Sequence, residues 1–407
     1  MPSRINIHFD GNDQNVYYSG ETVSGTVEIE FQKVKKVRGI SFQIIGFART
    51  HWDGSSFLTQ YTYIGKENYL TSRKYLIGSD LNSARDIEPG IYSYNFSCTL
   101  PKQLPSSFEG KFGCIRYIAK VTLERPWKFD QTYTVGFTVL RPVDLNLESP
   151  LIRVPSEVEV FHQFWCSPCL SKPIHIKGKL PQTGYVPGQT ISLLAEVNNA
   201  SNVDVKEVNI RFQCVISYQA DKPRLKCRQD ILDLACIKCD PIPKKSSGCF
   251  VEKIVIPPVP SSSNSNYSKM IQLSYCVRIE AVTSQFHNNA YVLCPITIGT
   301  VPFIPLRQQI IENAEIIRRT LYDDSSPTSA DEGYMFPVLS PIRGAEALSE
   351  YDVVPPTYQE AVNACRVQVD ADETFSVQRS EYVPKYPVYN FEVDSNKTDL
   401  QQFNIVE

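Results

Sequence analysis

The residues of this chain best suited to chemistry bind rather than react. Pro355-Pro356-Thr357-Tyr358 lies in a stretch with little other capacity to pack. Adjacent prolines favour polyproline II, a left-handed helix of about three residues per turn without internal hydrogen bonds. That period sets Pro355 and Tyr358 on one face. A proline ring and a phenol can then enter neighbouring aromatic-lined grooves at small ordering cost, the mode used by WW domains. Thr357 and Glu360 have capping-box spacing, so a short helix starting at the motif would bring Val362 one turn beyond Tyr358 as a further contact. The alternative reading is a proline turn in an unstructured tether. Val383-Pro384-Lys385-Tyr386 is a degenerate second copy: valine replaces the first proline. Loss of one ring would weaken binding through Pro384 and Tyr386.

A second constellation has the residue types of a metal site: His162, Cys166, Cys169 and His175, with Cys236 and Cys239 far downstream. Tetrahedral zinc takes four such ligands, and a C-x2-C turn can deliver two thiolates. His175, however, falls in the strand-like run Ile174-His175-Ile176, and the second cysteine pair is remote in sequence. The reading adopted is ordinary thiols at a connector, with no metal and no cofactor. Third, Lys222, Arg224, Lys226 and Arg228 alternate at a period of two. On a strand all four would project from one face. They would be either an edge strand guarded by charge against edge-to-edge pairing, or a cationic strip for phosphates or anionic lipids. Lys33, Lys35, Lys36 and Arg38 admit the same two readings. No H-E-x-x-H, G-x-S-x-G or phosphate-loop pattern occurs, so the chain reads as non-catalytic.

Such residues need a scaffold, and the first 300 or so positions supply one. Val23, Gly25, Val27, Ile29 and Phe31 alternate with polar residues, as do Ile40, Phe42 and Ile44, and then Tyr92, Tyr94 and Phe96. Each set places an apolar row on one face of a strand. Turn signals such as Asp10-Gly11-Asn12 and Glu88-Pro89-Gly90 separate them. Many short strands without helical periodicity predict β-sandwiches. The pattern then recurs: SGETVSGTVEI at 19–29 resembles PGQTISLLAEV at 187–197, and GISFQII at 39–45 resembles NIRFQCV at 209–215. The near-constant offset predicts two immunoglobulin-like sandwiches in tandem, over residues 1–148 and 172–303, with a proline-interrupted connector at 149–171. Leu306, Ile310, Ala314, Ile317 and Leu321 have helical spacing, making 304–321 a candidate amphipathic helix. Residues 322–407 read as a disordered acidic tail.

The charge is uneven. Residues 323–407 carry 16 acidic and 5 basic residues, leaving 28 acidic and 36 basic residues for the rest. A mildly basic body with an acidic tail suits acidic partners or anionic lipid surfaces; it is far from the basic concentration of a nucleic-acid binder. The start, Met1-Pro2-Ser3-Arg4-Ile5-Asn6, has no apolar signal core, so the expected setting is cytoplasmic. There the 12 cysteines would be reduced thiols.

Longer stretches carry a family resemblance. VYYSGETVSGTVEI, KVRGISFQIIGFARTHW and above all LPSSFEGKFGCIRYIAKVTLERPWKFD at 104–130 resemble the first sandwich of the arrestin-domain-containing family, the α-arrestins. GYVPGQTISLLAEVNNAS, VIPPVPSS and ITIGTVPF resemble its second. The resemblance spans roughly residues 4–303 in order. It implies a trafficking adaptor whose tail PPxY motif, here Pro355, Pro356 and Tyr358, engages WW domains of HECT-type ubiquitin ligases. The body would hold cytosolic parts of membrane receptors or transporters. Peripheral association with plasma membrane and endosomes would follow, with cargo ubiquitination, endocytosis and sorting. The buried charged cluster of visual and β-arrestins is not identifiable here. The alternative is a ligase-independent endosomal scaffold like the arrestin-like subunit of retromer.

Overall fold

The computed structural model describes residues 4–11, 15–56, 59–78, 84–164, 172–283, 287–304, 376–379 and 382–389. The first unit contains β1 (Arg4–Phe9), β2 (Val16–Tyr18), β3 (Thr22–Phe31), β4 (Lys35–Val37), β5 (Gly39–Ser56), β6 (Thr59–Gly78), β7 (Arg85–Ile87), β8 (Gly90–Thr99), β9 (Phe108–Gly110), β10 (Gly113–Glu124) and β11 (Gln131–Leu140). A 3-10 turn, Pro150–Arg153, follows. The second unit contains β12 (Ser156–His162), β13 (Ile174–Leu180), β14 (Gly184–Tyr185), β15 (Thr190–Asn199), β16 (Glu207–Ala220), β17 (Lys226–Cys239), β18 (Ser246–Val255), β19 (Ile271–Val282) and β20 (Ala290–Ile298). A last strand, β21 (Ser376–Arg379), comes from the tail.

The internal repeat is a repeat of topology. One sheet of the first unit runs β2-β11-β10-β5-β6, and its counterpart in the second runs β14-β20-β19-β16-β17. Both begin with a parallel pair, β2 on β11 and β14 on β20. The facing sheets are β1-β3-β8 and β12-β13-β15-β18. The matching sequences at 19–29 and 187–197 lead into β3 and β15, and those at 39–45 and 209–215 lie in β5 and β16. Even a buried tyrosine recurs: Tyr117 Oη donates to the carbonyl of Pro105 at 2.7 Å, and Tyr275 Oη to that of Pro260 at 2.7 Å.

The cores follow from the period-two rows. Along β3 and β15 inward residues alternate with more accessible ones; Val23, Val27 and Ile29 in the first, and Ile191 and Ala195 in the second, are fully buried. Burying a valine or isoleucine side chain stabilises by about 1.5–3 kcal/mol. Ser41 departs from the pattern, since β5 is central and the serine is buried, donating to Glu124 Oε1 at 3.4 Å.

The two units meet through the β5–β6 hairpin, whose strands are 18 and 20 residues long. Thr50 Oγ1 donates to the Gln219 carbonyl at 2.6 Å, Tyr69 Oη to Ser268 Oγ at 2.7 Å, and the Lys269 amide to Glu67 Oε2 at 2.9 Å. Gly65 allows this approach: a Cβ there would lie 2.5 Å from the Gln219 carbonyl oxygen.

One expected boundary differs. Ser156–His162, inside the expected 149–171 connector, is the edge strand β12, paired antiparallel with β13. Val158 and Val160 pack on the core, while Glu157 and Glu159 face out. Pro150 and Pro155 precede the strand without interrupting it. The candidate helix at 304–321 lies outside the described residues beyond Ile304. No helix among the described residues is long and apolar enough to cross a membrane.

Candidate partner-binding surfaces

Pro355, Pro356, Tyr358, Glu360 and Val362 lie outside the described residues. Pro384 and Tyr386, the degenerate second motif, lie within them and are buried, Tyr386 at 1% exposure. In this arrangement neither ring is available to a WW groove. The reason is that the segment around them is packed on the body.

The path of that segment follows β11. β2 pairs with β11 only at Thr138–Leu140, leaving the earlier part of that edge open; β21 pairs with it in parallel at Thr132–Thr134. Next, the Tyr382 ring lies over Gly136, where a Cβ would come within 2.6 Å of it, and its hydroxyl donates to the Phe137 carbonyl at 3.0 Å. Burial pushes the Tyr382 phenol well above its ordinary range. The Lys385 amide donates to Thr138 Oγ1 at 3.3 Å. Tyr386 Oη donates to the Ser107 carbonyl at 2.9 Å. Ser107 is itself locked to β11, its amide on the Val139 carbonyl at 2.7 Å and its Oγ accepting the Val139 amide at 2.9 Å.

The segment then leaves the first sandwich for the second. The Tyr389 amide donates to the Pro187 carbonyl at 3.1 Å and its Oη to the Thr300 carbonyl at 2.5 Å. Its ring packs with Leu145 and Val186. Gly188, at φ +92°, lies so close that a Cβ would come 2.1 Å from the Tyr389 carbonyl oxygen. From the sequence this segment offers Pro384 and Tyr386 only as a degenerate WW motif, and its packing on the body is not foreseen. Its available signal was a run of three tyrosines, two prolines and two valines with a single charge, Lys385, inside an acidic tail.

The four alternating cations do not share a strand face. β17 begins only at Lys226, so Lys222 and Arg224 belong to the preceding turn. Lys222 forms a backbone bridge with Ile64. Arg224 reaches Tyr63 Oη at 3.5 Å, and the Arg228 guanidinium lies 3.7 Å from the centre of the Phe112 ring. These are contacts between the two units, so the strip is split. β17 is nevertheless the last strand in its sheet, as the guarded-edge reading expects.

A different basic surface surrounds the β10–β11 loop. Trp127 is fully exposed and Phe129 is 75% exposed. Arg125 holds the loop, its Nε donating to the Phe129 carbonyl at 3.0 Å and its amide to Asp130 Oδ1 at 3.1 Å. Trp127 is kept at φ +59°, a conformation that costs a non-glycine residue roughly 1–2 kcal/mol. Burial, with Arg125 and Lys128 alongside, pushes the Lys35 ammonium below its ordinary value.

The metal-type residues are dispersed. Cys166 and Cys169 lie outside the described residues. His175 stacks on Phe161 at 4.1 Å and bonds Glu159 Oε2 at 2.8 Å. Cys236 and Cys239 occupy β17 rather than a turn; Cys236 faces outward and Cys239 is half-buried. Successive strand residues alternate faces, so residues three apart direct their thiols oppositely. That arrangement lacks the geometry that makes C-x2-C a chelating turn. Burial, then Glu252, pushes the Cys239 thiol up to about 11.

Comparison with known proteins agrees with the architecture. The family model for the arrestin (or S-antigen) N-terminal domain matches residues 5–146, and that for the arrestin (or S-antigen) C-terminal domain matches residues 170–303. Among curated relatives, Arrestin domain-containing protein 17 of Caenorhabditis elegans is 28% identical over 95% of this chain and 98% of its own. Human Arrestin domain-containing protein 4 is 25% identical over 98% of this chain and 94% of its own. Rat Thioredoxin-interacting protein is 29% identical over 46% of this chain and 47% of its own.

Proposed function

Because the chain belongs to the arrestin-domain family, in its arrestin domain-containing (α-arrestin) branch, we propose that this arrestin-type adaptor brings a WW-domain, HECT-type ubiquitin ligase to membrane receptors or transporters. The observation that carries the reading is the sequence Pro355-Pro356-Thr357-Tyr358 downstream of a tandem-sandwich body. The body holds the cytosolic part of the cargo, the tail holds the ligase, and catalysis belongs to the ligase. The working mechanism is proximity: a linked ligase acts at a high effective concentration on nearby lysines. With one intact motif, engagement is through a single WW groove, since burial of Tyr386 withholds the degenerate copy. The setting is the cytoplasm, with recruitment to plasma membrane and endosomes.

Peripheral membrane contact is supported by the β10–β11 loop. An exposed tryptophan and phenylalanine beside Arg125, Lys128 and Lys35 combine an apolar wedge with cations, the pairing that binds anionic bilayer surfaces.

Affinity purification of the full chain from cells tests the adaptor reading. Pro356→Ala and Tyr358→Ala are expected to remove ligases from the recovered proteins while leaving membrane cargo. Ligase retained after both substitutions plus Tyr386→Ala refutes the mechanism. Recovery of coat subunits without WW proteins would favour the ligase-independent scaffold.

A further inference from the structure

The edge of β11 and the seam between the sandwiches have the construction of a peptide site. Backbone pairing starts the contact at Thr132–Thr134, and three phenols complete it. All three hydroxyls, of Tyr382, Tyr386 and Tyr389, donate to main-chain carbonyls, those of Phe137, Ser107 and Thr300. Each is thus read as a neutral donor. Two glycines clear the floor: beside Gly136 the three nearest heavy atoms all belong to Tyr382, and beside Gly188 they belong to Tyr389 and Val388. The glycines make room for the peptide rather than for the body's own side chains. Phe137 and Ser107 belong to the first unit, and Pro187 and Thr300 to the second, so one occupant spans both.

We propose that this seam is a peptide-binding site for extended segments bearing tyrosines at positions i, i+4 and i+7, that residues 376–379 and 382–389 are its resident ligand, and that a phosphate on these tyrosines excludes the segment. The recognition chemistry is edge-strand pairing followed by tyrosine hydroxyls on fixed carbonyls. A phosphorylated phenol is an anion that cannot reproduce the phenol's donor bond, and in this site it would face the carbonyl oxygens of Phe137, Ser107 or Thr300. Docking and phosphorylation are therefore mutually exclusive: Tyr386, at 1% exposure, meets a kinase only when undocked, and the phosphate then keeps it so. The proposal does not depend on ligase recruitment, because none of these residues belongs to the intact PPxY motif.

The test uses the full chain and a fluorescein-labelled peptide of residues 374–391. In one variant Tyr382, Tyr386 and Tyr389 are all changed to Ala, which disables the resident segment and leaves the site intact. The peptide is expected to bind this variant and to bind wild type about tenfold or more weakly, because the linked segment competes at high effective concentration. Peptide phosphorylated at Tyr386 should lose about tenfold or more, since the donor bond is replaced by an unpaired charge. Adding Gly136→Val to the variant should remove binding. Equal binding to wild type and variant, no binding to a variant that still unfolds cooperatively, or equal binding of the phosphopeptide each overturn the proposal. Should the variant fail to fold, hydrogen exchange on wild type decides. The Tyr389 amide, bonded to Pro187, is expected to exchange at least about tenfold more slowly than an open amide; an unprotected amide overturns the proposal.

Discussion

Replacing Arg116 by Met should destabilise the first sandwich far more than replacing both members of its ion pair. Arg116, on β10, donates from Nε and Nη2 to the two carboxylate oxygens of Glu109 on β9 at 2.5 and 2.8 Å. The Glu109 side chain is 11% exposed and that of Arg116 30%. Burial already pushes the Glu109 carboxyl up, with Arg116 opposing the shift. Removing the guanidinium leaves that carboxylate buried and uncompensated, a loss of about 3–5 kcal/mol. For a unit of this size such a loss corresponds to a fall in Tm of roughly 6–20 °C. Glu109→Leu with Arg116→Met removes both charges and should cost only about 1–2 kcal/mol, leaving the double variant roughly 2–3 kcal/mol more stable than Arg116→Met alone. The pH response provides an independent sign. With its folded value raised, Glu109 binds a proton more readily folded than unfolded, so its contribution is most favourable below the unfolded value and is lost as pH rises through the folded one. Arg116→Met should therefore regain part of its deficit relative to wild type between about pH 7 and 5. Thermal unfolding of the four chains, monitored by circular dichroism at both pH values, measures all of this. A single variant within about 1 kcal/mol of wild type, or a double variant less stable than the single, refutes the reasoning.

In the second sandwich Glu280 behaves oppositely: burial alone would raise its carboxyl, but bonds from Asn289, Arg278 and Arg211 outweigh this and hold it below the usual range. Its contribution is present above the unfolded value and lost as pH falls through the folded one, so the stability gap between wild type and Glu280→Gln should shrink as pH drops below about 4. Burial pushes Cys214 and Cys294 up to about 12. In native protein at pH 7.5 a maleimide should label exposed Cys227, Cys236 and Cys249 well before these two; early labelling of Cys214 would contradict its packing. Changing Trp127 and Phe129 to Ala should cut binding to vesicles containing phosphatidylserine by about tenfold, measured by flotation, with little change in Tm; unchanged flotation would dismiss this loop as the membrane contact.

What the sequence made legible was periodic. Rows such as Val23-Val27-Ile29 and Ile40-Phe42-Ile44 declare their inward face because strands alternate, and the repeat of Phe42 as Phe212 marks duplication in the sequence itself. What it concealed depended on register and distance. β12 has only seven residues and two inward valines between prolines, too short a row to stand out. The period of two in Lys222–Arg228 suggests one strand face, but the strand starts at Lys226, and the arginines are used by Tyr63 and Phe112 of the other unit. Tyr386 resembles half a WW motif by local spacing. Its actual partner, Ser107, lies 279 positions earlier, and no periodicity encodes that separation.

The central claim is that the tail motif connects this body to a WW-domain ligase. Its most direct test is titration of a purified WW-domain array of a HECT-type ligase with the full chain, wild type and Tyr358→Ala, by isothermal calorimetry. The account predicts saturable one-to-one binding by wild type and loss of at least about tenfold in affinity on Tyr358→Ala, with Tyr386→Ala changing affinity less than about twofold. Equal affinity of wild type and Tyr358→Ala, or loss only on Tyr386→Ala, would contradict it.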